Sequence, residues 1–307
     1  MKTCRIELIA PSGYPADLAR AERAVARLRA AGHEVVGGGW LHRKFQRFAG
    51  TDAERLAELH ALGDADGEPA DLALAVRGGY GLTRLLADLD YEKIARRSRA
   101  RPTLLAGHSD FTALQLALLA RTGLVTFSGP MLCADFGAAE LNRFTWDNFW
   151  RLMAAPEYAY AWPAAAPAAA VNVSGMLWGG NLTMLCSLLG TPWWPDVSGG
   201  ILFVEDVNEP PYRLERMLYQ LHHAGVLRRQ RALLLGDFSG ARAAEDDNGY
   251  DVPAVIAQIR RVIDVPIVSG LPFGHRADKA TLPVGTAAEL QSRAGVVTLR
   301  VSGYPHF

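Results

Sequence analysis

A serine lies where the sequence predicts a sharp corner between a strand and a helix. Residues 103–106 form a short apolar run, Gly107-His108-Ser109-Asp110 follows, and helix-forming residues begin at Phe111. On such a corner the serine hydroxyl is exposed and the next backbone N–H faces the same space, as a nucleophile with an oxyanion donor requires. The usual motif has glycine where this chain has Phe111, so the segment also fits a serine that caps a helix.

Two carboxylates flank a turn after another predicted strand. The apolar run 201–204 ends at Glu205, Glu209 follows, and Pro211 can begin the next helix. A carboxylate at a strand end is costly to remove from water unless it has a partner. A histidine partner would make it an orienting acid. Without that partner, both acids are solvated loop residues or caps of the helix.

His275 is the candidate general base that remains when the other histidines are set aside, although a lone loop histidine is more often structural or solvent-facing. It lies in the loop 271–285, which two prolines and two glycines constrain, after a predicted strand at 266–269. His222 and His223 lie on a predicted helix beside arginines and are expected at the surface. His108 adjoins Ser109, but neighbouring side chains on a sharp corner diverge, so His108 is a poor candidate for the base.

A glycine-rich loop, Arg77-Gly78-Gly79-Tyr80-Gly81, follows the predicted strand 72–76. It matches neither the dinucleotide-binding nor the phosphate-binding glycine motif. The backbone N–H of Gly79 could serve as a second oxyanion donor opposite that of Asp110. A plain glycine-rich turn explains the same residues.

Strand and helix signals alternate over the first 135 residues. Strands are predicted at 6–10, 34–36, 72–76, 103–106 and 124–127, and helices at 15–31, 51–62, 82–89 and 111–121. This alternation predicts parallel β-α-β units. Ligands bind at the carboxyl ends of such strands, so the loops at 11–13, 77–81, 107–110 and 128–131 are expected to converge on one crevice.

The composition changes after an alanine- and proline-rich stretch at 154–170, which predicts an extended linker. Glycine-rich turns, strands at 174–178, 200–204 and 232–236, and helices at 212–223 and 253–263 follow. We therefore predict a nucleophile-bearing α/β domain at residues 1–140, an Ala/Pro-rich linker region at 141–172, and a smaller C-terminal domain at 173–307.

Composition excludes several classes of function. The 307 residues contain 32 Lys and Arg against 32 Asp and Glu, so the chain lacks the broad positive field that nucleic-acid or anionic-membrane binding uses. Cys4, Cys133 and Cys186 lie far apart, which favours buried reduced thiols over a disulfide or zinc site. Charges interrupt the first strand and no apolar run reaches 18 residues, so we expect a cytoplasmic protein without a signal peptide or membrane span.

Four motifs together resemble the LD-carboxypeptidases, also called muramoyltetrapeptide carboxypeptidases, and the similarity covers nearly the whole chain. The motifs are Arg-Gly-Gly-Tyr-Gly-Leu-Thr-Arg-Leu-Leu from residue 77, Gly-His-Ser-Asp-Phe-Thr-Ala-Leu from residue 107, Phe-Val-Glu-Asp-Val-Asn-Glu-Pro-Pro-Tyr-Arg from residue 203, and Gly-His from residue 274 with its Leu-Pro-Val-Gly tail. The resemblance implies an α/β fold. Its N-terminal parallel-sheet domain would be like class I glutamine amidotransferases, and its smaller C-terminal domain would be a swivelling β/β/α unit.

The resemblance also implies a Ser-Glu-His triad divided between the two domains. Ser109 would be the nucleophile, His275 the general base, and Glu205 the acid that orients the base. Glu205 is chosen over Glu209 because it directly ends its strand, as the family's acid does. The backbone N–H groups of Gly79 and Asp110 would form the oxyanion hole.

Two positions depart from the family's pattern. His108 stands where an aromatic residue is expected, and Asn208 stands where many members have glycine. Neither departure removes a member of the triad, and both could tune the site.

The function implied is removal of the terminal D-alanine from murein tetrapeptides, at an L,D peptide bond, in cytoplasmic cell-wall recycling. A homodimer is implied, with no metal and no organic cofactor. The leaving D-alanine carries a carboxylate, which needs a cation or N–H groups. Candidates for binding it are Arg77, Arg213 and Asn181, which is expected in a turn at 179–181.

Two alternatives remain. A related branch of the family cleaves a peptidyl-adenylate antibiotic with the same triad, and tryptophans such as Trp178, Trp193 and Trp194 could stack on a nucleobase. The second alternative is a non-catalytic muropeptide-binding protein. A complete set of candidate triad residues argues against it, because a binding protein needs none of the three.

Overall fold

Two β-sheets organise the chain. The computed structural model describes residues 2–64, 68–165, 170–238 and 240–307, and the description below concerns these residues. Their strands form one sheet of six strands and one of seven, with helices between and around them. The predicted mixed α/β class is confirmed.

The first sheet is parallel except at one edge. Its spatial order is β11-β5-β4-β3-β1-β2, and its strands are β1 (Arg5–Ile9), β2 (Glu34–Val36), β3 (Leu72–Ala75), β4 (Leu104–Gly107), β5 (Thr126–Ser128) and β11 (Leu282–Val284). All residues of β3 and β4 are buried, as expected for central parallel strands covered on both faces.

The second sheet is mixed. Its spatial order is β10-β9-β8-β7-β12-β13-β6, and its strands are β6 (Glu157–Pro163), β7 (Val171–Asn181), β8 (Ile201–Glu205), β9 (Ala232–Leu235), β10 (Ile267–Ser269), β12 (Thr286–Arg293) and β13 (Val296–Ser302). Strands β7 to β10 are parallel, whereas β12, β13 and β6 extend the sheet from β7 in antiparallel pairs.

Eight α-helices lie in the described residues. They are α1 (Leu18–Ala30), α2 (Asp52–Ala61), α3 (Tyr91–Ala100), α4 (Phe111–Thr122), α5 (Arg143–Met153), α6 (Leu182–Leu188), α7 (Pro211–His223) and α8 (Val252–Val262). Local signals set several ends. Thr51 and Glu54 form a capping box at the start of α2, and Gly123 ends α4 in the left-handed conformation. No helix among the described residues has the length and apolar composition needed to cross a bilayer.

Helix α4 lies between the two sheets. Every residue from Phe111 to Leu119 is buried, and the helix contacts α6, β7 and β11. A helix that is apolar on all sides is stable only when it is covered on all sides. The helix that follows the nucleophile corner is therefore one of the internal contacts between the two halves of the molecule.

Strand β11 joins the first sheet although it comes late in the chain. It pairs antiparallel with β5, with Leu282 opposite Ser128. The strand before it, β10, belongs to the second sheet. The loop from 270 to 281 therefore bridges the two sheets, so the base loop is anchored at one end in each of them.

Three local expectations are wrong. The helix expected at 82–89 is a single 3-10 turn at Leu82–Arg84, and the regular helix is α3, whose N-cap is Asp90. The stretch 154–170 is not an extended linker over its described part, because it contains β6, which pairs with β13; residues 166–169 lie outside the described residues. The expected turn at 179–181 is the end of β7, and Asn181 caps α6.

Candidate active site

Ser109 occupies the strained corner between β4 and α4. Its φ is 63°, in the left-handed region that non-glycine residues rarely adopt. Such a conformation costs on the order of 1–3 kcal/mol and is typical of functional sites. Gly78 permits the neighbouring loop to approach, since a Cβ there would lie 2.9 Å from the Ser109 Cβ. The corner therefore has the geometry of a nucleophile elbow.

The two predicted oxyanion donors lie on neighbouring loops beside Ser109. Asp110 is the N-cap of α4, and its N–H lies 3.6 Å from the Cβ position that a side chain at Gly78 would have. Neither the Asp110 N–H nor the Gly79 N–H donates to any residue that the structure describes.

The Asp110 side chain forms hydrogen bonds with the loops that follow β1 and β3. Its Oδ2 accepts hydrogen bonds from Ser12 Oγ at 2.6 Å and from the Leu82 N–H at 3.0 Å. Burial raises the pKa of this carboxyl above its ordinary value, and these hydrogen bonds oppose the rise. The loops after β1, β3 and β4 therefore meet at one residue, which agrees with the predicted crevice.

Arg55 is a supporting residue that the sequence analysis missed. Its side chain is fully buried. It donates to the carbonyl oxygens of Pro11 at 2.5 Å and Gly81 at 3.1 Å, and it pairs with Asp52. From the sequence alone, Arg55 and Asp52 are three residues apart on one helix, which is typical of an ion pair at the surface. The fold shows instead that the guanidinium is buried and bonds to the loops that contain Pro11 and Gly81.

Glu205 ends β8 and is completely buried. Its Oε2 lies 2.7 Å from His275 Nδ1, and its Oε1 accepts a hydrogen bond from Asn181 Nδ2 at 3.2 Å. Glu209, the other candidate acid, is partly exposed and forms an ion pair with Arg213 at 3.7 Å. Glu205 is therefore the carboxylate that the fold brings to His275.

His275 is oriented by this contact. The carboxylate accepts, so Nδ1 carries a hydrogen and Nε2 is the nitrogen left to act as a base. Nε2 has no hydrogen-bond partner among the described residues, and none of their hydrogen bonds joins His275 to Ser109 Oγ. Catalytic hydrogen bonds are often long in a free enzyme and shorten when substrate binds. The centroid of the His275 ring lies 4.9 Å from that of His108, the residue before Ser109.

A close approach between β7 and α4 brings the acid to the nucleophile. A Cβ at Gly180, whose φ is 142°, would lie 2.5 Å from Thr112 Oγ1. The Thr112 hydroxyl accepts a hydrogen bond from the Asn181 N–H at 3.1 Å. Glycine at this position therefore lets the end of β7, and Glu205 on the adjacent strand, dock against the helix that begins after Ser109.

Asn181 is better placed to support the acid than to bind substrate. It is 5 % exposed. Its Nδ2 donates to Glu205 and to Asp206 Oδ1 at 3.1 Å, while its Oδ1 accepts from the Met184 N–H. These contacts use both ends of the amide. The contacts favour a role in holding two buried carboxylates, and binding of the substrate carboxylate by Asn181 stays a prediction.

The two candidate arginines lie in different surroundings. Arg77 is exposed on the loop beside the corner and donates to the Tyr14 carbonyl at 2.7 Å. Arg213 is half-exposed on α7 and pairs with Glu209. Arg77 is thus the candidate on a loop that forms the site, whereas Arg213 is engaged on the helix after the acid.

Asn208, one of the two departures from the family's pattern, has a conformational explanation. Its φ is 60°, in the left-handed region that glycine favours and asparagine tolerates better than most residues. The conformation of Asn208 is therefore one that glycine, the residue the resemblance led us to expect here, would also adopt.

A cavity of about 350 Å³ borders His275 on the side of His108. Its walls carry charges of both signs, from Arg20, Asp135, Glu140, Arg276 and Lys279. Asp135 and Lys279 form a buried ion pair at 2.8 Å, which the sequence analysis missed. The only signal in the sequence was a lysine in the constrained loop after His275.

Comparison with known proteins assigns the chain to a family. The profile of the LD-carboxypeptidase N-terminal domain matches residues 6–129, and that of the C-terminal domain matches residues 174–290. The chain belongs to the LD-carboxypeptidase family. The predicted resemblance is confirmed, and the chain is a serine-type carboxypeptidase, a hydrolase.

Individual relatives agree with this assignment. The crystal structure of muramoyltetrapeptide carboxypeptidase from Oxalobacter formigenes is similar over 98% of this chain and 99% of that one, at 45% identity and a TM-score of 0.91. The murein tetrapeptide carboxypeptidase of Pseudomonas aeruginosa is 32% identical over 94% of this chain and 93% of its own. The microcin C7 self-immunity protein of Escherichia coli is 27% identical over 86% of this chain and 83% of its own.

Proposed function

We propose that this LD-carboxypeptidase releases the terminal D-alanine from murein tetrapeptides by cleaving an L,D peptide bond. The observation that carries the proposal is the 2.7 Å contact between His275 Nδ1 and the buried Glu205 carboxylate, together with the φ of 63° at Ser109. The names of the 45% and 32% identical relatives support the same substrate.

In the proposed mechanism Ser109 Oγ attacks the carbonyl carbon of the third residue. His275 Nε2 takes the hydroxyl proton as the new C–O bond forms, and Glu205 stabilises the imidazolium. The N–H groups of Gly79 and Asp110 donate to the oxyanion. His275 then gives its proton to the departing nitrogen of D-alanine as the C–N bond breaks, and water hydrolyses the acyl-enzyme by the same route.

The active crevice forms in this mechanism where two domains meet. Ser109 follows a strand of the first sheet, while Glu205 ends a strand of the second. We propose that residues 1–140 form an amidotransferase-like domain and residues 173–307 a swivelling domain. Since β11 returns to the first sheet, the C-terminal region would contribute one strand to its partner domain.

Arg77 is the residue that we propose for binding the leaving carboxylate. It is exposed on the same loop as Gly79, and a guanidinium binds a carboxylate with charge-assisted hydrogen bonds. Arg77→Met should raise KM about tenfold while changing kcat less, since the lost contact is present in both ground and transition states. The matched variant Arg213→Met should change neither constant by more than about twofold.

The setting proposed is the cytoplasm, where the enzyme would act in cell-wall recycling as a homodimer without nucleic-acid partners. Equal numbers of acidic and basic residues support the absence of nucleic-acid partners. Light scattering after gel filtration tests the dimer, and a monomeric mass at micromolar concentration would contradict it.

The decisive experiment measures D-alanine release from L-Ala-γ-D-Glu-meso-diaminopimelate-D-Ala by the wild type and by Ser109→Ala. Release by the wild type alone is the expected result. Release by both proteins would exclude Ser109 as the nucleophile. A parallel assay with an aminoacyl sulfamoyl adenylate tests the activity suggested by the microcin-immunity relative, and binding of the tetrapeptide without turnover of either compound would indicate a muropeptide-binding protein.

A further inference from the structure

His108 belongs to a buried polar cluster that the proposed mechanism does not use. His108 is 1% exposed and Lys279 is 2% exposed, and the third member, Asp135, is also nearly covered. The cluster lines the cavity beside His275. Burying three ionisable groups is costly unless each has a defined partner.

The partners of His108 fix its proton. Its Nδ1 lies 2.9 Å from the Gly129 carbonyl oxygen, which can only accept, so Nδ1 carries a hydrogen. Its Nε2 lies 3.1 Å from Lys279 Nζ, an ammonium that can only donate. Nε2 therefore accepts and carries no hydrogen, so the ring is neutral.

The lysine is itself held in place. Lys279 Nζ donates to Asp135 Oδ1 at 2.8 Å, and Asp135 Oδ2 accepts from the Met131 N–H at 2.8 Å. The Lys279 backbone N–H donates to Thr145 Oγ1 at 2.8 Å. The ammonium thus bridges a carboxylate and an imidazole in a fixed geometry.

The His108 ring forms a wall against His275. The two ring centroids are 4.9 Å apart with an interplanar angle of 65°, and Phe273 packs edge-on against His108 at 6.4 Å. Glu205 holds one nitrogen of His275. A single hydrogen bond leaves an imidazole able to rotate about that bond, and a ring packed against His275 would limit the rotation.

The charge on His108 matters because His275 must become an imidazolium in the reaction. The ionisable groups nearest His108 are Lys279 and His275. Lys279 is in turn bonded to Asp135, and His275 to Glu205. The other charged groups on the shared cavity are Arg20, Glu140 and Arg276. A proton on His108 would face the ammonium and place a second cation beside the base.

We propose that His108 is a positioning residue for His275, and that the buried Lys279–Asp135 pair keeps His108 uncharged over the pH range in which His275 works. The inference rests on the proposed function, because it assigns His275 as the base. Burial, followed by the Lys279 and His275 charges, holds the pKa of His108 well below its ordinary value, in agreement with the hydrogen bonds.

The first test asks whether His108 acts through the shape of its ring or through its polar nitrogens. His108→Ala removes the wall and should lower kcat about tenfold or more with KM changed less, because misplacing a base affects the chemical step. His108→Phe restores a flat ring and should recover more than about a third of kcat. Unchanged kcat in His108→Ala, or an equal loss in both variants, would overturn the positioning role.

The second test concerns the charge. Lys279→Met/Asp135→Asn removes the ion pair as a unit, leaves no unpaired buried charge, and allows the pKa of His108 to rise. The fall of kcat/KM at acid pH should then begin at higher pH. Between about pH 8 and pH 6 the double variant should lose at least about threefold (about 0.5 logarithmic unit) more of its kcat/KM than the wild type does. In a His108→Phe background the same pair of substitutions should cause no shift. No shift with His108 present, or an equal shift in both backgrounds, would overturn the proposal.

A spectroscopic measurement on the wild type needs neither variant nor turnover. Nitrogen-15 shifts of His108 should report a neutral ring with hydrogen on Nδ1 down to about pH 5.5, a range in which an ordinary histidine gains a proton. Protonation above that pH, or hydrogen on Nε2, would contradict the inference. Because this readout is independent of substrate, it distinguishes failure of the inference from failure of the proposed function.

Discussion

The proposed nucleophile corner and the proposed acid–base pair are formed in different ways. The corner, residues 107–110, lies between β4 and α4, and consecutive residues set its geometry. The acid–base pair joins Glu205 on β8 with His275, which lies 70 residues later in a loop between the two sheets. The corner stores backbone strain, with Ser109 at φ 63°. The pair relies instead on burial and docking. Local geometry can create a strained nucleophile, but an oriented base requires the assembled molecule.

Removing the nucleophile should have the largest effect. Ser109→Ala is expected to lower kcat by about 10⁴-fold or more, because no group replaces the attacking oxygen. Circular dichroism should show an unchanged fold. Adding His275→Ala to this variant should cost little more, because the two residues act as a unit. Additive losses would mean that they do not act in one step.

The next effect distinguishes the two acids. Glu205→Gln is expected to lower kcat by about 10³-fold or more, because an amide cannot stabilise the imidazolium or fix the tautomer with hydrogen on Nδ1. Glu209→Gln is the matched control and should stay within about threefold of the wild type, since its partner is the half-exposed Arg213. Steady-state kinetics on the tetrapeptide measure both. The opposite ranking would transfer the orienting role to Glu209.

The support of the acid is tested at Asn181. Asn181→Ala leaves Glu205 Oε1 and Asp206 Oδ1 without their shared donor. The expected cost is about 1–3 kcal/mol in the free energy of unfolding, together with about a tenfold fall in kcat. If Asn181 instead bound substrate, KM would rise while the stability in urea stayed unchanged.

The docking of the two halves is tested at Gly180. Gly180→Ala adds a Cβ within 2.5 Å of Thr112 Oγ1 at a φ of 142°. It should lower the free energy of unfolding by about 2 kcal/mol or more. Gly190→Ala is the control for backbone strain alone, because Gly190 has a φ of 80° and open space around it. Equal losses in both variants would show that the close approach to α4 is not important.

The smallest predicted effect concerns strain at the corner. Ser109→Gly should be more stable than Ser109→Ala by about 1 kcal/mol, because glycine adopts positive φ without steric cost. Thermal unfolding of the two inactive variants measures the difference. A more stable Ser109→Ala would indicate that the corner carries no backbone strain in solution.

Much of the first sheet was predictable because its signals are local. Apolar runs such as β3 alternate with capped helices, and Thr51 with Glu54 marks the start of α2 in the sequence itself. The helix expected at 82–89 was wrong because apolar residues there fill the core through a single 3-10 turn. Strand β6 was missed because its alternating aromatic residues, Tyr158, Tyr160 and Trp162, lie within a longer alanine- and proline-rich stretch that as a whole predicts a linker. Pairing with β13 places them in the second sheet.

The sequence by itself determined the candidate triad residues and the strand-to-helix corner, because motifs and local patterns encode them. Tertiary structure decided which carboxylate meets His275, that Asn181 supports the acid, and that Lys279 is buried against His108. Those contacts join residues 24 to 171 positions apart. Whether a polar side chain is solvated or paired depends on which surfaces fold against it. The order of residues along the chain does not specify these surfaces, because they meet only when both sheets pack against α4.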